Sequence, residues 1–213
     1  WRHVPLINQK TGSRQILSIA LDISGRVEAE SELAWLARHD SLSGLHNRHA
    51  FEERLAECFA ESTSNTLRAN STELTHFGVM FIDLDEFKTI NDTHGHNKGD
   101  EMIKAVAKVL KEQSRDSDFV ARMGGDEFAI IVRNFHRYDL DRITKRIVSK
   151  LTSIVLEPDI HCTASIGIAV HTPFTPSPEV LIGNADGAMY QAKEAGKNHY
   201  VIFDAAQRTI DSR

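Results

Sequence analysis

Hydrophobic and polar positions follow two periods along the chain, and these predict where helices and strands lie. Apolar residues three or four apart predict amphipathic helices, whose apolar faces carry Phe51, Leu55, Cys58 and Phe59, then Met102, Ile103, Val106 and Leu110, then Leu140, Ile143, Ile147, Leu151 and Ile154. Another helix is predicted over 179–194, and apolar runs predict strands at 77–83, 119–123, 127–132, 160–170 and 199–203. Polar or proline-rich stretches at 61–76 and 171–178 predict surface loops.

The order of these elements predicts the fold class. From residue 48 the order is α-β-α-α-β-β-α-β-α-β, and it contains a β-α-β-β-α-β core. Such a core is typical of α+β proteins, so we expect an antiparallel central sheet with helices packed on one face.

The first 39 residues have a pattern of apolar and charged positions that differs from that of the rest of the chain. A β-prone run over 14–21 follows the turn signal Lys10-Thr11-Gly12, and a single hairpin cannot form its own core, so residues 1–24 are expected to end another module. Residues 25–39 predict a charged helix with a narrow apolar stripe of Ala29, Leu33 and Leu36. The stripe fits a coiled-coil seam or a linker helix that lies on its own domain, and both remain open.

Composition narrows the class of protein. The chain is 41% hydrophobic and 26% charged, an ordinary globular balance, and its net charge of −5 argues against a DNA- or RNA-binding polycation. Its two cysteines, Cys58 and Cys162, lie far apart and indicate buried thiols in a reducing compartment. The apolar runs are shorter than the ~20 residues that span a bilayer, and no signal peptide is visible. Because the chain begins with Trp1, we expect it to be a piece of a longer protein.

Acidic residues cluster where two predicted strands end. The strand over 77–83 is followed by Leu84-Asp85, and the hairpin over 119–132 carries Gly124-Gly125 and Asp126-Glu127 at its turn. If these strands are neighbours, Asp83 and Asp126 lie close together and must take a proton or share a cation, for which Mg²⁺ is suited. The simpler alternative is that these acids and glycines are ordinary solvated turn residues, which is the commoner origin of an isolated Asp-x-Asp.

Several motifs together resemble one family, the GGDEF-domain diguanylate cyclases. The resemblance covers about residues 38–204 and depends on the segments 40–48, 81–92, 95–100, 122–128, 165–169 and 185–198. Segment 122–128 contains Gly-Gly-Asp-Glu-Phe, while Ser43 stands where the family usually has Thr. Residues 1–24 resemble the last strands of a PAS sensor domain. The resulting division is a PAS-like fragment over 1–24, a linker helix over 25–39 and a GGDEF domain over 40–213.

The resemblance implies a reaction and a fold. Two GTP molecules would condense to cyclic di-GMP and two pyrophosphates, each 3′-hydroxyl attacking the α-phosphate of the other GTP, in a face-to-face homodimer. The fold would be the α+β fold of nucleotidyl cyclases and polymerase palms, an antiparallel central sheet with helices packed around it and a ferredoxin-like core. Mg²⁺, with Mn²⁺ as an alternative, would be the cofactor. The resemblance implies no DNA, RNA or membrane contact by this fragment and a cytoplasmic location, while the parent protein's anchoring stays open.

The family also implies roles for individual residues. Asp83, the Leu84 carbonyl and Asp126 would hold metal, and Asp126, Glu127 or metal-bound hydroxide would accept the proton. Lys88 would stabilise the transition state on the triphosphate. The remaining substrate contacts would be Phe87, Asn91, His96, Asp100, Gly125, Lys193 and Lys197, with Asn91 and Asp100 reading guanine. Without the family, Lys193 and Lys197 are a solvated helix-end pair and His96 is a turn histidine.

A second site is implied upstream of the signature. Arg115 and Asp118 have the Arg-x-x-Asp spacing of the family's inhibitory product site, which Arg142 or Arg146 would complete. The alternative for Arg115 and Asp118 is a surface ion pair.

Three rival functions of the domain remain: a silent module that senses GTP or cyclic di-GMP, a cyclase for another dinucleotide, and a dimerisation scaffold. The intact acids and lysines argue against the first and third, and Asp100 favours guanine.

Overall fold

The computed structural model describes residues 2–7, 14–19, 24–67, 77–135, 137–157 and 159–203, and the chain divides into two compact units between Ala37 and Arg38. In the first unit, β1 (Arg2–Ile7) pairs antiparallel with β2 (Arg14–Ile19), and α1 (Ser24–Leu36) follows. The turn predicted at 10–12 and the PAS-like end at 20–23 lie outside the described residues. The PAS-like assignment and the three domain boundaries remain predictions.

The second unit is an α+β domain, as the element order predicts. Its elements are α2 (Arg48–Leu67), β3 (Phe77–Leu84), α3 (Phe87–His94), α4 (His96–Gln113), β4 (Phe119–Gly124), β5 (Glu127–Arg133), α5 (Arg137–Thr152), β6 (Val155–Leu156), β7 (Ile160–His161), β8 (Ala164–Val170), α6 (Pro178–Glu194) and β9 (Tyr200–Ile202).

The central sheet has five strands in the order β4-β5-β3-β8-β9. All neighbours are antiparallel except β8 and β9, which are parallel. β3 is therefore the middle strand, and the antiparallel register places Asp83 opposite Glu127 of β5. This pairing brings the end of β3 to the Gly124-Gly125 turn, as the neighbour hypothesis required.

Helices cover both faces of this sheet, so the expectation that they pack on one face is wrong. Met80, Ile82 and Leu84 of β3 pack in one core cluster with α4 and α5. The alternate residues of β3, at 77, 79 and 81, pack in a second cluster with α2 and α6. A strand buried on both sides reads as a continuous apolar run, and that is the pattern of residues 77–82.

Two element boundaries also differ from the sequence prediction. Residues 61–67 continue α2 instead of forming a loop, and Glu61 of this extension pairs with Arg133 at the end of β5. The predicted strand over 160–170 is divided, because residues 160–161 pair with β6 and only Ala164–Val170 joins the central sheet. Tertiary contacts override local composition in the first case.

A compact turn precedes the first helix of the domain. Asp40 accepts the Ser43 amide at 2.8 Å, its own amide donates to the Leu45 carbonyl at 2.8 Å, and Gly44 closes the turn with φ 70°. Asn47 then caps α2 by accepting the Ala50 amide at 3.0 Å.

Residue 46 of this turn packs against the edge of the sheet. The His46 ring stacks on Phe119 with ring centroids 4.0 Å apart, and the His39 ring centroid lies 4.6 Å from it. The His46 backbone bridges Ala121 of β4. Burial and the nearby charge of His39 lower the pKa of His46, so the folded domain favours the neutral ring.

The packing of α6 on β8 depends on one glycine. A Cβ at Gly167 would lie 2.8 Å from the Met189 Cα and closer still to the Met189 amide nitrogen and the Ala185 carbonyl oxygen. Only a residue without a side chain allows this approach. It fixes the height of α6, whose last turn carries Lys193, above the sheet.

Candidate active site

A cleft of about 230 Å³ opens where β3 ends, beside the start of α3 and the end of α6. Seven of the residues predicted from the sequence to act on substrate or metal line it: Asp83, Leu84, Phe87, Lys88, Asp126, Lys193 and Lys197. Asp85 and Glu86 complete the lining. Elements from three parts of the chain therefore deliver acids and lysines to one cavity.

Asp83 faces this cleft as the acidic end of the central strand. Lys193 lies on it, with its Nζ 2.8 Å from the Asp83 Oδ2. Burial raises the pKa of Asp83, the Lys193 ammonium opposes that effect, and the charges of Asp126 and Asp85 add to it. The cleft therefore holds crowded negative charge that the Lys193 ammonium compensates in part.

The hairpin contributes the second group of acids. The Asp126 carbonyl accepts the Leu84 amide at 3.3 Å, which connects the turn to the end of β3. Burial and the charge of Asp83 raise the pKa of Glu127, while Arg48, 3.9 Å away at the start of α2, opposes the rise. Arg48 also donates to the Met123 carbonyl at 3.1 Å, so α2 supports the hairpin from outside.

The Gly124-Gly125 turn is held by an arginine inside the signature. Gly124 and Gly125 adopt φ 143° and 53°, a conformation that favours glycine. Arg122 donates to the Gly125 carbonyl at 2.6 and 3.0 Å and also binds Asp40 at 2.9 Å. Burial alone would raise the pKa of Asp40, but the hydrogen bonds from Ser43 and Arg122 outweigh it and lower that pKa.

The start of α3 lies at the cleft, which Phe87 and Lys88 line. Glu86 precedes the helix with φ 56°, and its side chain does not cap the helix but binds Thr89 and Lys197. The first N–H groups of a helix have no partner within it, so they and the exposed Lys88 are placed for a phosphate. The substrate contacts expected for Phe87 and Lys88 remain a prediction.

The residues expected to read the base lie beside the cleft, at the corner between α3 and α4. Asn91 is half-buried and packs on Gly99, because a Cβ at Gly99 would overlap the Asn91 Oδ1. Asp100 is the next residue, and both it and His96 are exposed. Asn91 therefore lies against Gly99, the residue before Asp100, while His96 begins α4.

The predicted inhibitory residues lie away from the cleft. Both oxygens of Asp118 accept backbone amides, from Arg115 at 2.9 Å and from Arg133 at 3.2 Å, and the Arg115 side chain is exposed. Arg146 reaches this segment by donating to the Gln113 carbonyl at 2.8 Å. Arg142 instead pairs with Asp139 on its own helix.

The donor set fits a magnesium ion without a dedicated protein cage. Among the described residues, no three His, Cys, Asp or Glu side chains are grouped to hold a metal. Mg²⁺ characteristically uses one or two carboxylates with substrate phosphates and water, which is what Asp83, Asp126 and the Leu84 carbonyl offer. Burial, with the charges of Asp126 and Asp85, raises the pKa of Asp83, and a bound cation would oppose these effects.

Sequence reasoning missed several supporting residues. Arg48 and Arg122 were present in recognised motifs, but their bonds to the Met123 and Gly125 carbonyls required the fold. Asp85 was noted only as part of an acidic pair, and it is buried beneath the cleft. The motif at 95–100 contains Gly99, whose role in seating Asn91 carries no local signal.

Comparison with known proteins places this geometry in a family. A family model described as "Diguanylate cyclase, GGDEF domain" matches residues 37–199, so the chain belongs to the GGDEF family. It is 33% identical over 180 residues to the bifunctional diguanylate cyclase/cyclic di-GMP phosphodiesterase MucR of Pseudomonas aeruginosa, covering 84% of this chain and 25% of that protein. It is 37% identical over 174 residues to the diguanylate cyclase TpbB of the same species, covering 80% and 38%.

Solved structures agree with the fold. The coiled coil and GGDEF domain of DgcB from Caulobacter crescentus, in complex with c-di-GMP, matches with a TM-score of 0.75 and 28% identity, covering 84% of this chain and 93% of that one.

The chain spans about a quarter of the length of MucR. Within the described residues, no helix combines the length and apolarity that a membrane crossing requires.

Proposed function

We propose that this domain is an active diguanylate cyclase, which condenses two GTP molecules into cyclic di-GMP and two pyrophosphates. The observation that carries the proposal is the single cleft lined by Asp83, Asp126, Lys88, Lys193 and Lys197. Phosphoryl transfer asks a protein chiefly to position groups and neutralise charge. This cleft offers acids for a cation and cations for a triphosphate in one place.

We assign different roles to the acids and the lysines of the cleft. Asp83, Asp126 and the Leu84 carbonyl would hold Mg²⁺ or Mn²⁺, which when bound supplies the positive charge that activates the attacking oxygen and stabilises the leaving one. Lys193 moves from Asp83 toward the β- and γ-phosphates, and Lys197 leaves Glu86 for the same groups. Lys88 meets the charge that develops during transfer.

The same hairpin holds the candidates for proton acceptor, and the α3–α4 corner selects the base. Asp126 and Glu127 are adjacent to the reacting centre. Asn91 and Asp100 accept the N–H donors of guanine, and adenine presents a different edge. A partner left unpaired costs about 1–3 kcal/mol, so GTP is preferred over ATP by roughly tenfold or more.

Catalysis needs two such domains, because one cleft holds one GTP. The two domains would belong to a homodimer. We expect α1 of each protomer to pack against α1 of its partner and so align the two clefts, since Leu33 and Leu36 of its apolar stripe are exposed. Cyclic di-GMP is also proposed as an inhibitor at Arg115, Asp118, Arg142 and Arg146. The rival function is a silent module that binds GTP or cyclic di-GMP without turnover.

The test is incubation with GTP and Mg²⁺, followed by chromatography of the product. Asp126→Ala should abolish cyclic di-GMP formation and leave the fold intact, because a turn carboxylate contributes little packing. Asp159→Ala, in the exposed turn between β6 and β7, is the matched control and should keep full activity. Turnover per chain should also fall on dilution below the dimer dissociation constant.

Two results would contradict the proposal. Product formation by Asp126→Ala at the wild-type rate removes the site assignment. A wild-type chain that binds GTP in calorimetry but forms no product establishes the silent module instead.

A further inference from the structure

The second carboxylate of the Asp83-Leu84-Asp85 run has a different environment from the first. Asp85 is 6% exposed, and each of its oxygens accepts a protein hydrogen bond. Oδ1 accepts the Ser165 hydroxyl at 2.7 Å, and Oδ2 accepts the Asn198 amide at 2.9 Å. Asp85 therefore connects the end of β3 to β8 and to the turn that follows α6.

That turn has an uncommon backbone. Gly196, Lys197 and Asn198 have φ values of 115°, 63° and 44° in succession. Residues with side chains rarely adopt positive φ, and such conformations persist when surrounding contacts hold them. Lys197, which lines the cleft, is one of the two non-glycine residues of this turn in that conformation.

The contacts that hold the turn converge on Asn198. Asp85 accepts its backbone amide at 2.9 Å. The Thr152 hydroxyl at the end of α5 lies 3.0 Å from its side-chain oxygen and 2.9 Å from the Val148 carbonyl, so one hydroxyl hydrogen serves both acceptors. On the other side, the Lys197 amide donates to the Ala192 carbonyl at 3.2 Å, which continues α6 into the turn. Without the Asp85 contact, the amide at residue 198 loses its partner, and the backbone that carries Lys197 is free to relax toward ordinary φ.

We propose that Asp85, oriented by Ser165, is a positioning residue that fixes the 195–198 turn so that Lys197 reaches the β- and γ-phosphates of GTP. The inference rests on the proposed function, because Lys197 meets a triphosphate only if the cleft binds GTP. The role assigned to Asp85 is to hold the turn, because each of its oxygens accepts a hydrogen bond from a protein group.

Affinities for GTP and GMP, measured by calorimetry with Mg²⁺ on the full chain, test this role. GMP lacks the β- and γ-phosphates, so it reports on the rest of the pocket. The Asp85 carboxylate accepts hydrogen bonds from the Ser165 hydroxyl and the Asn198 backbone amide. In Asp85→Asn, an NH₂ donor replaces one of the two accepting oxygens, so one of these hydrogen bonds is lost. It should weaken GTP binding about tenfold and leave GMP binding unchanged. Loss of structure alone would weaken both ligands.

A double-mutant cycle checks that Asp85 acts through the lysine. Lys197→Met should weaken GTP binding, and Asp85→Asn should add little in the Lys197→Met background, because residues in one network are not additive. Thr144→Val is the matched control: it removes another buried hydrogen bond, 2.7 Å from the Thr144 hydroxyl to the Leu140 carbonyl within α5. This control should preserve the ratio of GTP to GMP affinity.

The outcomes separate the two proposals. An unchanged ratio in folded Asp85→Asn, or full additivity with Lys197→Met, overturns the positioning role. If Asp85→Asn does not fold, Ser165→Ala decides, because it removes the hydroxyl that orients Asp85; about threefold weaker GTP binding with unchanged GMP binding supports the role, and no change overturns it. A wild type with equal affinities for GTP and GMP overturns both proposals, whereas absent turnover with intact preference overturns only the proposed function.

Discussion

Replacing Gly167 by alanine tests the contact that sets α6 on the sheet. The added Cβ would lie 2.8 Å from the Met189 Cα, against the ~3.5–4.0 Å at which carbon atoms attract. Restoring that distance alone needs a separation of about 1 Å, and the closer overlaps with the Ala185 carbonyl oxygen and the Met189 amide nitrogen require helix and strand to separate further. No side-chain rotation relieves the overlap, because the obstructing atoms belong to the α6 backbone.

The expected loss of stability follows from what α6 buries. Leu181, Ala185 and Met189 all lie in the core, and a gap of about 0.5–1 Å forfeits a quarter to a half of a contact's attraction. With the ~1–3 kcal/mol typical of overpacking, Gly167→Ala should lower the free energy of unfolding by about 3 kcal/mol. Activity should fall as well, since Lys193 moves with the helix.

The same chemical change elsewhere on the helix should have the opposite sign. Gly183 lies inside α6, and a Cβ added there would meet no other atom within 4 Å, so Gly183→Ala should raise stability by ~0.5–1 kcal/mol. Urea denaturation followed by circular dichroism would measure both changes in the free energy of unfolding. A loss below about 1 kcal/mol for Gly167→Ala, or a loss of any size for Gly183→Ala, would refute the reasoning.

Two further predictions concern regulation and pH. Arg115→Ala should weaken cyclic di-GMP binding in calorimetry and spare the initial rate, because Arg115 lies away from the cleft; Lys108→Ala is the control, and equal affinity in wild type and Arg115→Ala would leave no inhibitory site. The lowered pKa of His46 means that the folded state binds fewer protons than the unfolded state. The contribution of neutral His46 to stability is therefore complete above the unfolded pKa of ~6.5 and is lost as the pH falls through the folded pKa. His46→Phe should keep the ring stack on Phe119 and reduce the loss of stability as the solution is acidified from neutral pH, and an unchanged pH profile would contradict this.

Local signals predicted much of the fold and the cleft. The apolar run before Asp83 and the glycine pair before Asp126 each mark an element by themselves, and the sequence left the pairing of β3 with β5 as a hypothesis that the structure bears out. The unbroken apolar pattern of β3 also indicates burial on both faces, although we expected helices on one face. These features could be read because neighbouring residues carry them.

The supporting contacts could not be predicted in this way. Arg122 and Asp40 are 82 residues apart, and Asp85 and Asn198 are 113 apart. A polar residue with one distant partner leaves no periodic pattern, so only the folded chain shows the pairing. The helical extension at 61–67 is similar, because its polar composition favours a loop until Arg133 lies beside Glu61.

The bridge between His46 and Ala121 gives the compact turn before α2 a protective role. β4 is an edge strand, and unpaired edges recruit strands from other molecules. The His46 backbone bridges Ala121, and its carbonyl accepts the Arg122 amide at 2.9 Å, which shields part of that edge. A fragment that begins after residue 47 keeps the hairpin of β4 and β5 but exposes this edge, so we expect it to aggregate even though every cleft residue is present.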